Sequence, residues 1–281
     1  MTTDGPLNEQ DLEQLCTRGY VKVRAFTAED AAEMESTIWR RLEREGVLRD
    51  DPATWRKYPG GVSRSVRNSR IFREAMTAEF AAVVDQLLGQ GRWRPPKDRG
   101  IVLYTFPQQR ESWDIATDWH WHGNPLRNVD QLRDIFIFCF LSKVDPEGGG
   151  TVLVEGSHHV VCKFYSELTP HQLDLKVKHI KQRFFASHTW LRNLTHKRDF
   201  EDRRQRFMEK FTDVWGHPLR VVELTGDPGE AYVTNMSALH SRSFNVLDRP
   251  RFMTAKGISQ SDAEHHITRP GAHGENLIRK P

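Results

Sequence analysis

The sequence of 281 residues predicts a mainly β fold with flanking helices, a double-stranded β-helix of the jelly-roll, cupin-like kind. Three observations point to it. Short apolar segments of strand length dominate after residue 100, turn-forming clusters separate them, and the clearest amphipathic helices lie ahead of them.

Residues 19–26 (GYVKVRAF) alternate as an opening strand, with Tyr20 or Val21 and Val23 inward. Thr27 offers an N-cap hydroxyl to a helix over 28–44, with Glu29 and Asp30 in its first turn and Gly46 beyond its end. Met34, Ile38 and Leu42 fall four apart and form its apolar stripe. A second helix is expected over 71–88, stopping at Gly89, because Phe72, Met76, Phe80, Val83 and Leu87 share roughly one face. Both helices are expected to cover a sheet. Strands are read at 101–106, 134–141, 151–154, 219–224, 231–234 and 252–258, parted by turns such as Asp145-Pro146-Glu147-Gly148-Gly149-Gly150 and Gly226-Asp227-Pro228-Gly229. Residues 169–215 are too long for a structureless loop and are read as a helical insertion, serving as a lid or a homodimer surface. The chain is read as one domain over 1–281 with a flexible polar tail at 260–281, whose His265, His266 and His273 are not assigned as ligands.

Forty-one basic against 38 acidic residues leave a formal charge of +3, a balance that says little about partners. The basic run over 49–73, with Arg56, Lys57, Arg64, Arg67, Arg70 and Arg73, reads as solvated, salt-bridged surface, with an anionic substrate as its functional alternative. Nothing in it has the spacing of a nucleic-acid motif. Cys16, Cys139 and Cys162 are odd in number and far apart, which argues against a disulfide scaffold and for a reducing, cytoplasmic setting. The N-terminus lacks a secretory pattern, and the longest apolar run, IFIFCFL at 135–141, is too short to cross a membrane.

The chemistry gathers at DWHWHGNP, residues 118–125. In extended backbone Asp118, His120 and His122 point to one face and Trp119 and Trp121 to the other. A His-x-His pair is common on surfaces, but His240 follows a strand and turn 120 residues after His120, a separation that a barrel can close. Arg251 opens the last strand, and an arginine desolvated beside a metal pocket needs an anion. Gly156-Ser157-His158 lacks a nucleophile elbow, and Gly148-Gly149-Gly150 leads into a strand without the lysine and helix of a phosphate loop.

Three stretches carry a resemblance. GYVKVRAFTAEDAAEM, VDPEGGGTVLVEGSHH and GDPGEAYVTNMSALHSRSFNVLDRPR resemble the opening strand and helix, the Gly-rich turn with its Gly-Ser-His segment, and the late segment of the phytanoyl-CoA dioxygenase family. That family belongs to the non-haem Fe(II), 2-oxoglutarate-dependent oxygenases. The resemblance spans about residues 15 to 258 and is poor over 169–215. It implies Fe(II) held by His120 and His240, and 2-oxoglutarate gripped by Arg251, with Arg249 as competitor. His122 falls where the family has aspartate. Three arrangements follow: a His120, His122, His240 site; a site in which Asp118 supplies the carboxylate; or a degenerate site. By the resemblance, His158 and His159 shape a loop or the pocket side. His188, His196 and His217 are read as surface or locally bonded, and Asn124 and Asn245 as turn-holding residues. Trp119, Trp121 and residues 64–73 are substrate-side candidates.

The resulting expectation is a dioxygenase oxidising a small organic substrate with O2 and 2-oxoglutarate, catalysed through His120, His122, His240 and Arg251. The alternatives are a three-histidine iron oxygenase independent of 2-oxoglutarate, and a catalytically silent ligand-binding relative.

Overall fold

The computed structural model describes residues 5–56, 61–74, 76–108, 112–196 and 203–261. Lys57 and the histidines of the tail lie outside them. Strand alternation decides the layering. In β3 (Asp134–Phe140), Ile135, Ile137 and Cys139 pack outward under the N-terminal helices, while Phe138 and Phe140 pack inward. In β4 (Thr151–Glu155), Leu153 turns inward and Val152 and Val154 outward. Side chains of period two thus feed three clusters: one between the sheets and one on each outer face.

The remaining strands are β1 (Tyr20–Arg24), β2 (Ile101–Thr105), β5 (Thr212–Val214), β6 (His217–Glu223), β7 (Glu230–Asn235), β8 (His240–Arg242) and β9 (Arg251–Ser259). They complete two antiparallel sheets ordered β1-β7-β3-β9-β2 and β5-β6-β4-β8. This is the double-stranded β-helix that the sequence predicts.

Helix α1 (Glu9–Arg18) is an addition to that expectation. Asn8 Oδ1 accepts from the Asp11 N–H at 2.9 Å while Asp11 Oδ2 accepts from the Asn8 N–H at 3.1 Å, a capping box built on aspartate. Helix α2 (Ala28–Glu43) starts at Thr27 and buries Met34, Ile38 and Leu42 as read. After α3 (Val62–Arg67), the helix expected over 71–88 is two helices, α4 (Arg70–Glu74) and α5 (Ala78–Leu88). Thr77 explains the break: its Oγ1 accepts from the Phe80 N–H at 3.1 Å and starts α5 afresh.

The Gly-Ser-His segment opens α6 (Ser157–Ser166). Residues 169–215 contain α7 (Pro170–Leu173), α8 (Val177–Ala186) and α9 (Thr189–Thr195), and they end in β5. Ile180, Phe184, Trp190, Leu191 and Leu194 pack on Val152, Val154, Leu219 and Val221, so this helical layer covers the outer face of the four-stranded sheet. Burial of each such side chain contributes about 1.5–3 kcal/mol. Among the described residues, no helix is long and apolar enough to cross a membrane.

Candidate metal centre

A single antiparallel bridge makes the site. The His120 N–H donates to the His240 carbonyl at 3.0 Å, and the His240 N–H donates to the His120 carbonyl at 2.9 Å. A pair that exchanges both bonds holds its Cα atoms about 5.5 Å apart with side chains on one face. His240 pairs on its other side with Leu153, which faces the interior between the sheets. The His122 N–H then donates to the Met236 carbonyl at 3.1 Å, and its ring stacks on Phe136 with centroids 4.2 Å apart. Gly123 turns the chain at φ +65°, where a Cβ would meet Met236 Sδ at 2.7 Å. Trp119 and Trp121 are buried on the opposite side; the Trp121 ring packs edge-on against Tyr165 and Phe184. Residues 118–122 are bridged only at His120 and form no regular strand, so the extended backbone read from the sequence is not held by a ladder there.

The three histidines can each present one ring nitrogen with all three within 4.8 Å of one another. Carbonyls hold two of them in orientation. His120 Nδ1 lies 3.2 Å from the Asp118 carbonyl, and His240 Nδ1 lies 2.9 Å from the Ala238 carbonyl. A carbonyl only accepts, so each Nδ1 carries the proton and each Nε2 keeps its lone pair for the cluster. Burial is the main cause lowering all three imidazole pKa values, and the positive charge of Lys181 adds to it. His122 is pushed down to about 4. Neutral imidazoles with aimed lone pairs are a donor set suited to Fe(II).

Asp118 belongs elsewhere. Its Oδ1 accepts from Ser241 Oγ at 2.8 Å and its Oδ2 pairs with Arg242 Nε at 3.2 Å, with the side chain 56% exposed. Arg251 is buried on the interior-facing register of β9, but its guanidinium donates to the Gly149 and Leu103 carbonyls and to Thr105 Oγ1. Arg249 forms an ion pair with Asp145 at the surface. Asn245 holds a turn, donating to the Thr105 and Arg249 carbonyls and accepting from the Leu247 N–H. Asn124 caps the turn after the histidines. His158 and His159 both reach the Cys16 carbonyl and tie α6 to α1, and His217 stacks on His159. His188 Nδ1 accepts from the Trp190 N–H at the start of α9, and His196 bonds to the Arg192 carbonyl. In the basic run, Arg67 pairs with Asp98 and Arg70 with Glu74.

Lys181 is the residue that sequence reasoning passed over. From α8 its Nζ donates to the Trp121 carbonyl at 3.3 Å and lies 4.8 Å from the Trp121 ring centroid. The one signal for it was its spacing with Phe185, a lysine in the apolar stripe of a helix.

No family model and no curated protein matches the sequence. Among solved structures, EctD from S. alaskensis with bound Fe aligns at TM-score 0.52 and 15% identity, covering 92% of this chain and 79% of that one. This chain has the same fold. The apo form of EctD aligns over the same shares at TM-score 0.50 and 16% identity. SnoK, a non-heme alpha ketoglutarate dependent carbocyclase from nogalamycin biosynthesis, aligns at TM-score 0.49 and 15% identity over 91% of this chain and 85% of its own.

The cluster corrects the co-substrate expected from the sequence. A site that binds 2-oxoglutarate in the manner of the resembling family needs two histidines and a carboxylate, whereas this one gathers three histidines and, among the described residues, no carboxylate. The interior points the same way. Phe136, Phe138, Phe140, Leu153 and Met253 fill the space between the sheets, and the bonds made by Arg251 go to the chain's own acceptors. The three-histidine cluster is therefore at odds with an Fe(II)/2-oxoglutarate dioxygenase and with 2-oxoglutarate as co-substrate.

Proposed function

We propose that this chain is a three-histidine iron oxygenase that oxidises a small organic substrate with O2 and without 2-oxoglutarate. The convergence of His120, His122 and His240 ring nitrogens carries the reading. Held by His120, His122 and His240, Fe(II) would bring O2 and substrate together and relay electrons between them, the substrate being the net source of the electrons that reduce O2.

The residues of the chain do the rest. His120 and His240 are oriented by the carbonyls of Asp118 and Ala238, so their Nε2 atoms need no rearrangement to serve as ligands. Phe136 stacks on His122, and Phe138 packs edge-on against His240, closing the inner side of the cluster to water. Lys181 places a positive charge beside the cluster and favours a negatively charged substrate.

Anaerobic titration with Fe(II) tests the proposal. Equimolar tight binding is expected in the wild type and loss of it in His122→Ala and His240→Ala. Added 2-oxoglutarate is expected to give neither the visible charge-transfer band of an iron-chelated 2-oxo acid nor succinate. Retained affinity in His122→Ala, or succinate formation by the wild type, would overturn it.

A further inference from the structure

Between α8, α9 and Trp119 lies an open surface pocket of about 360 Å³, lined by Trp119, Phe185 and Ala186. Two cations line it, Lys181 and Arg192. Lys181 is the inner one, held between the Trp121 ring and its carbonyl. An ammonium has three N–H donors, and Lys181 uses one of them on the Trp121 carbonyl. No carboxylate pairs with Lys181 or Arg192 among the described residues, whereas the buried Arg203 nearby has Asp114 as its counter-ion and four backbone carbonyls as acceptors.

A cation removed from water without a counter-ion costs several kcal/mol, and a fold keeps one where an anion completes it. Aromatic walls at the same pocket suit an apolar body attached to that anion. Burial here lowers the Lys181 pKa to about 8, so the ammonium form prevails at neutral pH. Its charge also reaches His120, His122 and His240, which places it within electrostatic range of the candidate centre.

The geometry points to a binding site for an amphipathic monocarboxylate, its carboxylate held by Lys181, with Arg192 at the rim and its apolar body against Trp119 and Phe185. The site lies on the Trp119 face, opposite the histidines, and needs no metal.

The test uses metal-stripped full-length protein with 1-naphthylacetate and its uncharged analogue 1-naphthylacetamide, followed by tryptophan fluorescence. The carboxylate is expected to bind at least 10-fold more tightly than the amide, and Lys181→Met to erase that difference. Arg192→Gln, which removes the rim cation, is expected to weaken the carboxylate 2- to 5-fold. Equal binding of the two probes, or an undiminished preference in Lys181→Met, overturns the site.

Discussion

Replacing His122 by aspartate restores the residue type that the resembling family has at this position, and it separates the ligand set from the rest of the pocket. In the metal-free protein the change removes the stack on Phe136, worth about 0.5–1.5 kcal/mol. It also puts a carboxylate in a largely buried position against that ring, at about 1–3 kcal/mol. The charge of Lys181 offsets part of this, so the net loss is about 1–4 kcal/mol, or roughly 2–15 °C in Tm for a chain of this size. A carboxylate ligand compensates on metal binding: Fe(II) at 100 times its Kd contributes about 2.7 kcal/mol, or roughly 5–10 °C. Thermal unfolding with and without anaerobic Fe(II) is therefore expected to show a less stable apo variant with a metal-dependent rise at least as large as that of the wild type. Succinate from 2-oxoglutarate is expected to stay absent, because Arg251 remains bonded to Gly149, Leu103 and Thr105 and the phenylalanines still fill the interior. If His122→Asp decarboxylates 2-oxoglutarate, the argument from the filled interior and the engaged arginine is wrong, and the missing carboxylate was the whole difference.

Other predictions address the scaffold around the site. Gly123→Ala, at φ +65° and against Met236, is expected to cost about 1–3 kcal/mol in urea unfolding and to weaken Fe(II) binding by tilting His122. Glu155 is almost fully buried and accepts from Arg18, Tyr20 and Arg220, so Glu155→Ala is expected to cost about 3–5 kcal/mol by the same measurement; an effect below 1 kcal/mol would refute the role given to this network. Lys181 has a folded pKa of about 8 against 10.5 in the open chain, so the folded state binds its proton less tightly and stability rises with pH across that window. Lys181→Met is accordingly expected to be more stable than the wild type by about 2–3 kcal/mol at pH 7, with the advantage vanishing towards pH 10.5.

What was legible in the sequence followed from local periodicity. Period two along residues 134–140 and the stripe of Met34, Ile38 and Leu42 describe the layers directly, and the two sheets lie where the turns imply. The break at Thr77 was hidden because Phe72, Met76 and Phe80 keep helical spacing across it; a cap hydroxyl competes with periodicity and here it wins. Helix α1 escaped notice because its first turn uses aspartate where a capping box usually has glutamate or glutamine. At the site, His120, His122 and His240 stood out by residue type and were brought together by one bridge. Lys181 did not, because nothing local shows which face of an insertion helix will meet Trp121. The filling of the interior was likewise beyond reach, since it depends on how β3, β4 and β9 face one another across the sheets.

The position of Asp118 shows why the centre lacks its carboxylate. Period two would aim this side chain with His120, but the ladder holds only at His120, and two residues outside the bridge the backbone no longer dictates direction. Ser241 and Arg242, the two residues after His240, take the carboxylate to the solvent side instead. Recruiting it to a metal would break both bonds, at about 1–3 kcal/mol for the charged pair and hydroxyl together. Three neutral imidazoles around a divalent ion leave its two charges uncompensated, and Lys181 adds a third a short distance away. Positive charge at that density in a half-buried pocket is stabilised by an anion. The described chain aims none at the cluster, so under the three-histidine reading an anionic group from outside the chain, such as one carried by the substrate, would compensate it.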